Sequence, residues 1–128
     1  MTGYARIRRL TEAHREDIDR TFRRLADFLR DSGKSAIVRW TILSPDGRRE
    51  WTFELEGLDC RLSGEAAQIP DLELITREST WWEIAEGRLS PLDAFLQGRM
   101  RVLGDAALGS HLLRHVAESG GAVSIWGE

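Results

Sequence analysis

Residue types that could carry out chemistry are few in this chain of 128 residues. His111 and His115 stand four positions apart, a spacing at which two imidazoles on one helix can bind a zinc ion. No third ligand belongs to a readable motif, and no glutamate lies between the two histidines to act as a base. The sequence therefore predicts neither a metal site nor a catalytic residue. Because the helical position of His115 lies beside Leu112 and Val116, two interpretations stay open for it: a hydrogen bond to backbone or one to the polar end of a ligand.

The other candidates for chemistry are equally weak. Cys60 is the single cysteine and shares a strand face with Leu62, as expected for a small buried hydrophobic residue. A nucleophile would need a lowered pKa and a nearby base, and neither can be recognised. The pair Gly120-Gly121 carries no phosphate-loop pattern and predicts a flexible joint before an apolar tail, residues 120–128, that could cover a binding site. No cofactor is predicted.

Composition narrows the class of protein. A hydrophobic content of 41% and a charged content of 30% predict one soluble globular domain over residues 1–128. The single cysteine, the absence of a recognisable leader and the lack of an apolar run near ~18 residues favour a cytoplasmic protein.

Basic residues are concentrated in the first part of the chain. The net charge is -3, yet 12 of the 18 basic residues fall within the first fifty positions, and residues 1–10 are rich in arginine. Acids alternate with arginines along the predicted first helix, which is typical of a solvated helix face. We therefore expect no nucleic-acid binding, while weak contact with an anionic membrane or an acidic partner stays open.

Hydrophobic periodicity predicts a helix followed by a sheet. The helix begins after Thr11 and ends at Gly33, with an apolar stripe of Ile18, Phe22, Leu25 and Leu29. Alternating patterns then predict two strands joined by a turn at residues 44–47, and shorter strands over residues 60–65 and 72–76. Together they predict an antiparallel sheet with one face in solvent.

Two short helices, a strand and a last helix complete the predicted elements. Thr80 and Glu83 form a capping-box pattern for a helix that ends at Gly87, and Ser90 with Pro91 opens a second one that ends at Gly98. A strand around residues 100–102 follows, and Asp105 is expected to cap a final helix whose buried stripe is Leu108, Leu112 and Val116. Because Trp81 and Trp82 are adjacent, one helix stripe cannot bury both, so one of them is expected at a surface.

The run from Pro91 to Asp105 resembles the signature of the sterol carrier protein 2 family. It holds Gln97-Gly98, a basic strand and Gly104-Asp105 between a short helix and a last helix, and the resemblance covers about residues 36–116. It implies an α/β (α+β) fold in which helices cover a five-stranded, mainly antiparallel sheet around an internal hydrophobic tunnel. The ligand implied is a fatty-acyl, sterol-like or isoprenoid molecule. The ending lacks a peroxisomal tripeptide, which fits a stand-alone bacterial member, and the arginine-rich start lies outside the pattern.

The expected ligand contacts come from the inward faces of these elements. They are Trp40, Phe53, Leu55, Trp82, Ile84, Phe95, Leu96, Met100, Leu112, His115 and Val116. Three functions stay open at this point: a non-catalytic carrier or reservoir, an accessory module that presents an apolar substrate to a partner enzyme, and an enzyme that uses His115. The oligomeric state is not predicted, and a homodimer stays open.

Overall fold

Five strands and four helices make up the residues that the computed structural model describes, 18–63 and 69–118. Helix α1 occupies residues 18–29, and its predicted beginning near Thr11 lies outside the described residues. Strands β1 (Lys34–Ser44) and β2 (Gly47–Gly57) follow, then β3 (Asp59–Ser63) and β4 (Leu72–Arg77). Helices α2 (Glu78–Ala85) and α3 (Pro91–Leu96), strand β5 (Met100–Gly104) and helix α4 (Ala106–Glu118) complete the order.

The hairpin between β1 and β2 is confirmed at its predicted turn. Ser44 pairs with Gly47 across a two-residue loop of Pro45 and Asp46, and Gly47 takes a φ of 135°. Proline fixes its own φ and glycine tolerates a positive one, so the turn chemistry fits this tight reversal. The hairpin sets the register in which Val38 faces Phe53 and Trp40 faces Trp51.

The sheet has the order β3-β2-β1-β4-β5 and confirms the mainly antiparallel prediction. One central pair departs from it, because β1 and β4 run parallel, with Val38 opposite Leu72. Alternation along a strand reports which face is buried and carries no information about the direction of the neighbouring strand. The expectation of an antiparallel sheet throughout was therefore wrong at this pair.

The two faces of the sheet differ in chemistry. The inner face is apolar: Val38, Trp40 and Ile42 of β1 are each exposed by 4% or less. The outer face carries charged side chains that pair across strands, as in the 2.7 Å contact of Arg61 Nη2 with Glu54 Oε2. The helices that border the cavity described below pack on the apolar side of the sheet.

The capping of α3 and α4 is confirmed, whereas that of α2 is not. The Asp93 N–H donates to Ser90 Oγ at 3.0 Å, and the Leu108 N–H donates to Asp105 Oδ1 at 3.0 Å. Helix α2 instead begins two residues before Thr80 and has no side-chain cap. Thr80 and Glu83 both accept hydrogen bonds from Arg99, and this pairing lowers the pKa of Glu83. The supposed capping box therefore ties α2 to the residue that precedes β5.

Both adjacent tryptophans are buried, so the expectation of an exposed one was wrong. Trp81 is 0% exposed and Trp82 is 8% exposed. The reason is that α2 has neighbours on more than one side: it contacts β1 and β4, while Trp81 stacks on Phe22 of α1 at 4.1 Å between ring centroids. Phe22 also stacks on Trp51 of β2 at 4.2 Å, so one phenyl ring lies between two indoles.

Candidate apolar cavity

A cavity of about 170 Å³ lies between the inner face of the sheet and the helices. The sheet contributes residues from four strands, and all four helices contribute the rest. The lining consists of Leu25, Leu29, Val38, Trp40, Phe53, Leu72, Leu74, Trp81, Ile84, Pro91, Leu92, Phe95, Val102, Ala106, Gly109, Ser110, Leu112, Leu113 and Val116.

The cavity opens to solvent between α3 and α4. Most lining side chains are buried, but Leu92 and Phe95 on α3 are 53% and 47% exposed. On α4, Ala106 and Ser110 also line the cavity and are exposed. A molecule that enters the cavity would therefore pass between these two helices.

The interior of the cavity offers no free indole N–H group, because the N–H groups of its two tryptophans already donate hydrogen bonds. Trp40 Nε1 donates to Thr76 Oγ1 at 3.0 Å, and Trp81 Nε1 donates to Thr21 Oγ1 at 2.9 Å. Among the lining residues described, Ser110 is the single one with a hydroxyl or charged group, and it lies at the opening. The interior can hold a hydrocarbon group, while a polar group would have to stay near Ser110.

Six of the predicted contact residues line this cavity and five do not. Those that line it are Trp40, Phe53, Ile84, Phe95, Leu112 and Val116. Leu55, Trp82 and Met100 are buried outside its lining, and Leu96 is 69% exposed and also outside the lining. The Nε2 atom of His115 lies 2.7 Å from the carbonyl oxygen of Arg30 and not in the cavity.

Strand register explains why two inward residues miss the cavity. The lining on the sheet comes from two neighbouring rows, one with Val38 opposite Phe53 and Leu72, the other with Trp40 opposite Leu74 of β4. Leu55 lies one inward row before them, opposite Ala36, and Met100 lies one inward row after them, opposite Thr76. Periodicity identifies the inner face, but only the pairing of strands says which rows share a cavity.

The lining residues that the sequence did not indicate as contacts lie on strands and on all four helices. Leu25 and Leu29 belong to the recognised apolar stripe of α1 and line the cavity through the packing of that helix. On α4, Ala106, Gly109 and Ser110 lie three and four positions apart, so they share one helix side. That run of small residues was a usable signal, because small side chains on one side leave space for another molecule.

Neither histidine nor the cysteine forms a reactive arrangement. His111 Nε2 lies 2.8 Å from the carbonyl oxygen of Ser32, so both histidines donate to the chain segment that follows α1. Burial raises the pKa of the Cys60 thiol to about 11, which keeps it protonated at neutral pH. Within residues 18–63 and 69–118, no group of three or more His, Cys, Asp or Glu side chains could hold a metal ion.

The helices of the described chain are also too short or too polar to cross a membrane. This finding agrees with the absence of a long apolar run in the sequence.

Comparison with known proteins identifies the family. A curated protein of Caenorhabditis elegans, non-specific lipid-transfer protein-like 1, is 29% identical over 70 residues. That match spans 54% of this chain and 59% of the relative, less than two thirds of its length. The crystal structure of sterol carrier protein 2 like 2 from Aedes aegypti superposes with a TM-score of 0.66 at 20% identity, covering 78% of this chain and 96% of that one.

The solution structure of the palmitated form of that mosquito protein gives a TM-score of 0.56 at 23% identity, over 66% of this chain and 74% of the other. These structures share the fold of mixed sheet and covering helices. A profile of the SCP-2 sterol transfer family matches residues 23–115, which is most of the chain. The chain belongs to the SCP-2 sterol transfer family.

Proposed function

We propose that this protein binds one apolar small molecule in the cavity and serves as a non-catalytic carrier or reservoir. The observation that carries the proposal is an apolar cavity, open between α3 and α4, in a chain of a lipid-transfer family. A ligand would replace empty space with contacts, and each buried methylene contributes up to ~0.8 kcal/mol before the costs of binding.

The size of the cavity favours a narrow ligand. About 170 Å³ is less than the ~300–1,000 Å³ of typical small-molecule sites, so a long lipid requires part of the wall to move. Helix α3 is the wall best suited to move, because it has six residues and its lining side chains are half exposed. A flexible acyl chain needs less displacement than a rigid sterol. Palmitate, which a protein of the same fold holds, is therefore the first ligand to test.

The proposed orientation follows from the distribution of polar groups. The interior offers apolar side chains and indole groups that are already hydrogen-bonded, while Ser110 lies at the opening. Burying a carboxylate without a partner would be strongly unfavourable. We therefore place the tail of the acyl chain against Trp40 and Trp81 and its carboxylate near Ser110.

The two alternative functions have less support. The accessory-module hypothesis relied on an exposed tryptophan, but Trp81 and Trp82 are both buried, and the arginine-rich start lies outside the described residues. The enzyme hypothesis relied on His115, whose ring nitrogen is bonded to the backbone carbonyl of Arg30. A histidine held in this way, and away from the cavity, is poorly placed to act on a ligand there.

Two neighbouring alanines provide a matched test of the binding site. Ala106 and Ala107 are both exposed on the first turn of α4, but only Ala106 lines the cavity. A tryptophan at position 106 should obstruct the opening, whereas one at position 107 should not. We expect Ala106→Trp to weaken palmitate binding to delipidated protein at least about tenfold, with Ala107→Trp within about twofold of the original.

Calorimetric titration of palmitate into all three proteins measures this difference. The melting temperatures of the two variants provide the control for folding. If the original protein takes up no palmitate, and also no sterol or isoprenoid, the carrier function is wrong. If both variants bind palmitate equally, the ligand lies outside the cavity.

A further inference from the structure

Helix α3 exposes apolar side chains to solvent, including one that does not line the cavity. Leu92, Phe95 and Leu96 are 53%, 47% and 69% exposed, and they make up half of this six-residue helix. Leu92 and Phe95 line the cavity, so their exposure belongs to its opening. Leu96 does not line the cavity, and its exposure at the next position extends the apolar surface from the opening onto the outside of the molecule.

The cations closest to α3 along the chain are already paired. Arg88 donates through Nε to Glu86 Oε1 at 3.0 Å, and Arg99 pairs with Glu83 and Thr80. The helix itself carries an exposed acid, Asp93. Neither α3 nor these two arginines therefore offers an unpaired positive charge, and the exposed part of α3 consists largely of apolar side chains.

The extent of this surface argues against a protein partner. A stable protein interface buries on the order of 800 Å² per partner, which is far more than three side chains on two turns of helix present. A lipid bilayer sets no such threshold, since the strength of reversible contact scales with the apolar area that is buried beneath the headgroups. A bilayer would also cover the opening of the cavity, so that an apolar molecule could pass between the two without crossing water.

We propose that α3 is a docking element for neutral lipid bilayers, which inserts Leu96 together with the exposed parts of Leu92 and Phe95. This inference rests on the proposed function, because the membrane would be the source or destination of the bound lipid. It names a surface distinct from the arginine-rich start, and it predicts membrane contact that salt does not abolish.

Leu96 allows the docking surface to be tested apart from the cavity. The matched control is Leu58, a leucine that is 72% exposed in the turn between β2 and β3, near the sheet edge opposite to β5 and α3. Protein that comprises residues 1–128 is floated with phosphatidylcholine vesicles at low salt and at about 0.5 M NaCl. We expect Leu96→Gln to lower the partition coefficient about tenfold, Leu58→Gln to change it by less than about twofold, and salt to have little effect.

A second variant is designed to bind vesicles more strongly, an effect that misfolding would not be expected to produce. Because tryptophan favours the interface between headgroups and acyl chains, Leu96→Trp should raise the partition coefficient severalfold. Palmitate affinity, measured without vesicles, should be the same for Leu96→Gln as for the original protein. That second measurement separates the two proposals. If the original protein binds no palmitate, the carrier function is wrong. If it binds palmitate but not the vesicles, the docking role is wrong.

Four results would overturn the docking proposal. The first is that the original protein does not float with the vesicles, and the second is that Leu96→Gln and Leu58→Gln behave alike. The third is binding that disappears at high salt, which would indicate charge-driven contact elsewhere. The fourth is a Leu96→Gln variant that sediments as a smaller species or melts at a clearly lower temperature, because Leu96 would then be covered by a second copy or by another segment of this chain.

Discussion

Burial determines the chemistry of Cys60. The residue is 8% exposed on β3, where it pairs with Leu55 of β2. Loss of hydration raises its pKa from 9.0 to about 11, although the nearby charge of Arg30 acts in the opposite direction. The thiol is therefore neutral at physiological pH and packs as a small apolar group.

This pKa shift predicts a loss of stability in alkaline solution. In the unfolded chain the thiol ionises near pH 9.0, whereas in the folded protein it keeps its proton until about pH 11. The folded state thus binds more protons than the unfolded state in this window, so the free energy of unfolding falls as the pH rises through it. Replacing the thiol in Cys60→Ala removes this contribution and should flatten the decline.

Urea unfolding of the original protein and of Cys60→Ala at several pH values between about 8 and 10.5 measures the effect. Other groups that ionise in this range are common to both proteins. The difference between the two plots of unfolding free energy against pH therefore reports the contribution of the thiol. Parallel slopes would show that the thiol is hydrated in the folded protein.

Single residues were predictable where their role is local. The Ser90 and Asp105 caps and the turn at Pro45-Asp46 depend on neighbours within a few positions, and the sequence contains all of those neighbours. Thr80 and Glu83 match a capping box equally well, yet their partner is Arg99, which is brought to them by β5. Residue types that suit two roles can be assigned only when the tertiary contacts are known.

At the scale of elements, α4 contains a glycine whose absent side chain enlarges the cavity. A Cβ added at Gly109 would lie 3.6 Å from Leu72 Cδ1 and 3.9 Å from Val102 Cγ1, which are ordinary contact distances. Glycine inside a helix costs about 0.5–1 kcal/mol relative to alanine. Compared with an alanine at this position, Gly109 therefore makes helix α4 less stable and leaves more space in the cavity.

Gly109→Ala should accordingly raise stability and weaken binding. We expect the free energy of unfolding to rise by up to about 1 kcal/mol, which raises the melting temperature by about 3–4 °C, because the methyl group fits without displacing its neighbours. Palmitate affinity should fall, because the added methyl group occupies space between lining residues. Thermal unfolding and calorimetric titration measure the two effects.

The control for this variant is Ala107→Gly on the same helix, at an exposed position outside the lining. It should lower the melting temperature by a similar amount and leave palmitate affinity unchanged. An unchanged affinity in Gly109→Ala would show that the ligand does not reach this part of α4.

The elements themselves were largely predictable, but their arrangement was not. Alternation identified β1, β2 and the inner face, and a stripe of period 3.6 identified α1 and α4. The parallel pairing of β1 with β4 depends on contacts between residues about 34 positions apart, and it decides that the rows of Val38 and Trp40 border the cavity. For this reason the predicted contacts include Leu55 and Met100, which do not line the cavity, and omit Leu72 and Leu74, which do.

At the scale of the whole molecule, the cavity is a packing deficit that a ligand would correct. Protein interiors are normally packed as densely as organic crystals, and empty volume lowers stability through lost contacts. A ligand that binds only the folded state stabilises it by mass action, by about 2.7 kcal/mol at a hundredfold excess over Kd.

Delipidated protein should therefore melt at a temperature on the order of 10 °C lower than protein with palmitate at a hundred times its Kd. Differential scanning calorimetry across a palmitate series measures the shift, which should grow with the logarithm of the ligand concentration. Ala106→Trp is the control, and its melting temperature should respond little to palmitate. An equal shift in both proteins would indicate general detergent-like binding.

The cavity lining extends along the chain from Leu25 to Val116, and it takes residues from both neighbours of the parallel β1–β4 pair. During synthesis on the ribosome, a nascent chain that ends before α4 lacks one wall of the cavity, because α4 is made last among the described elements. The completed cavity must therefore form after α4 has left the ribosomal exit tunnel. A truncated product that lacks α4 would lose one wall of the cavity and leave apolar side chains of the other walls in contact with water.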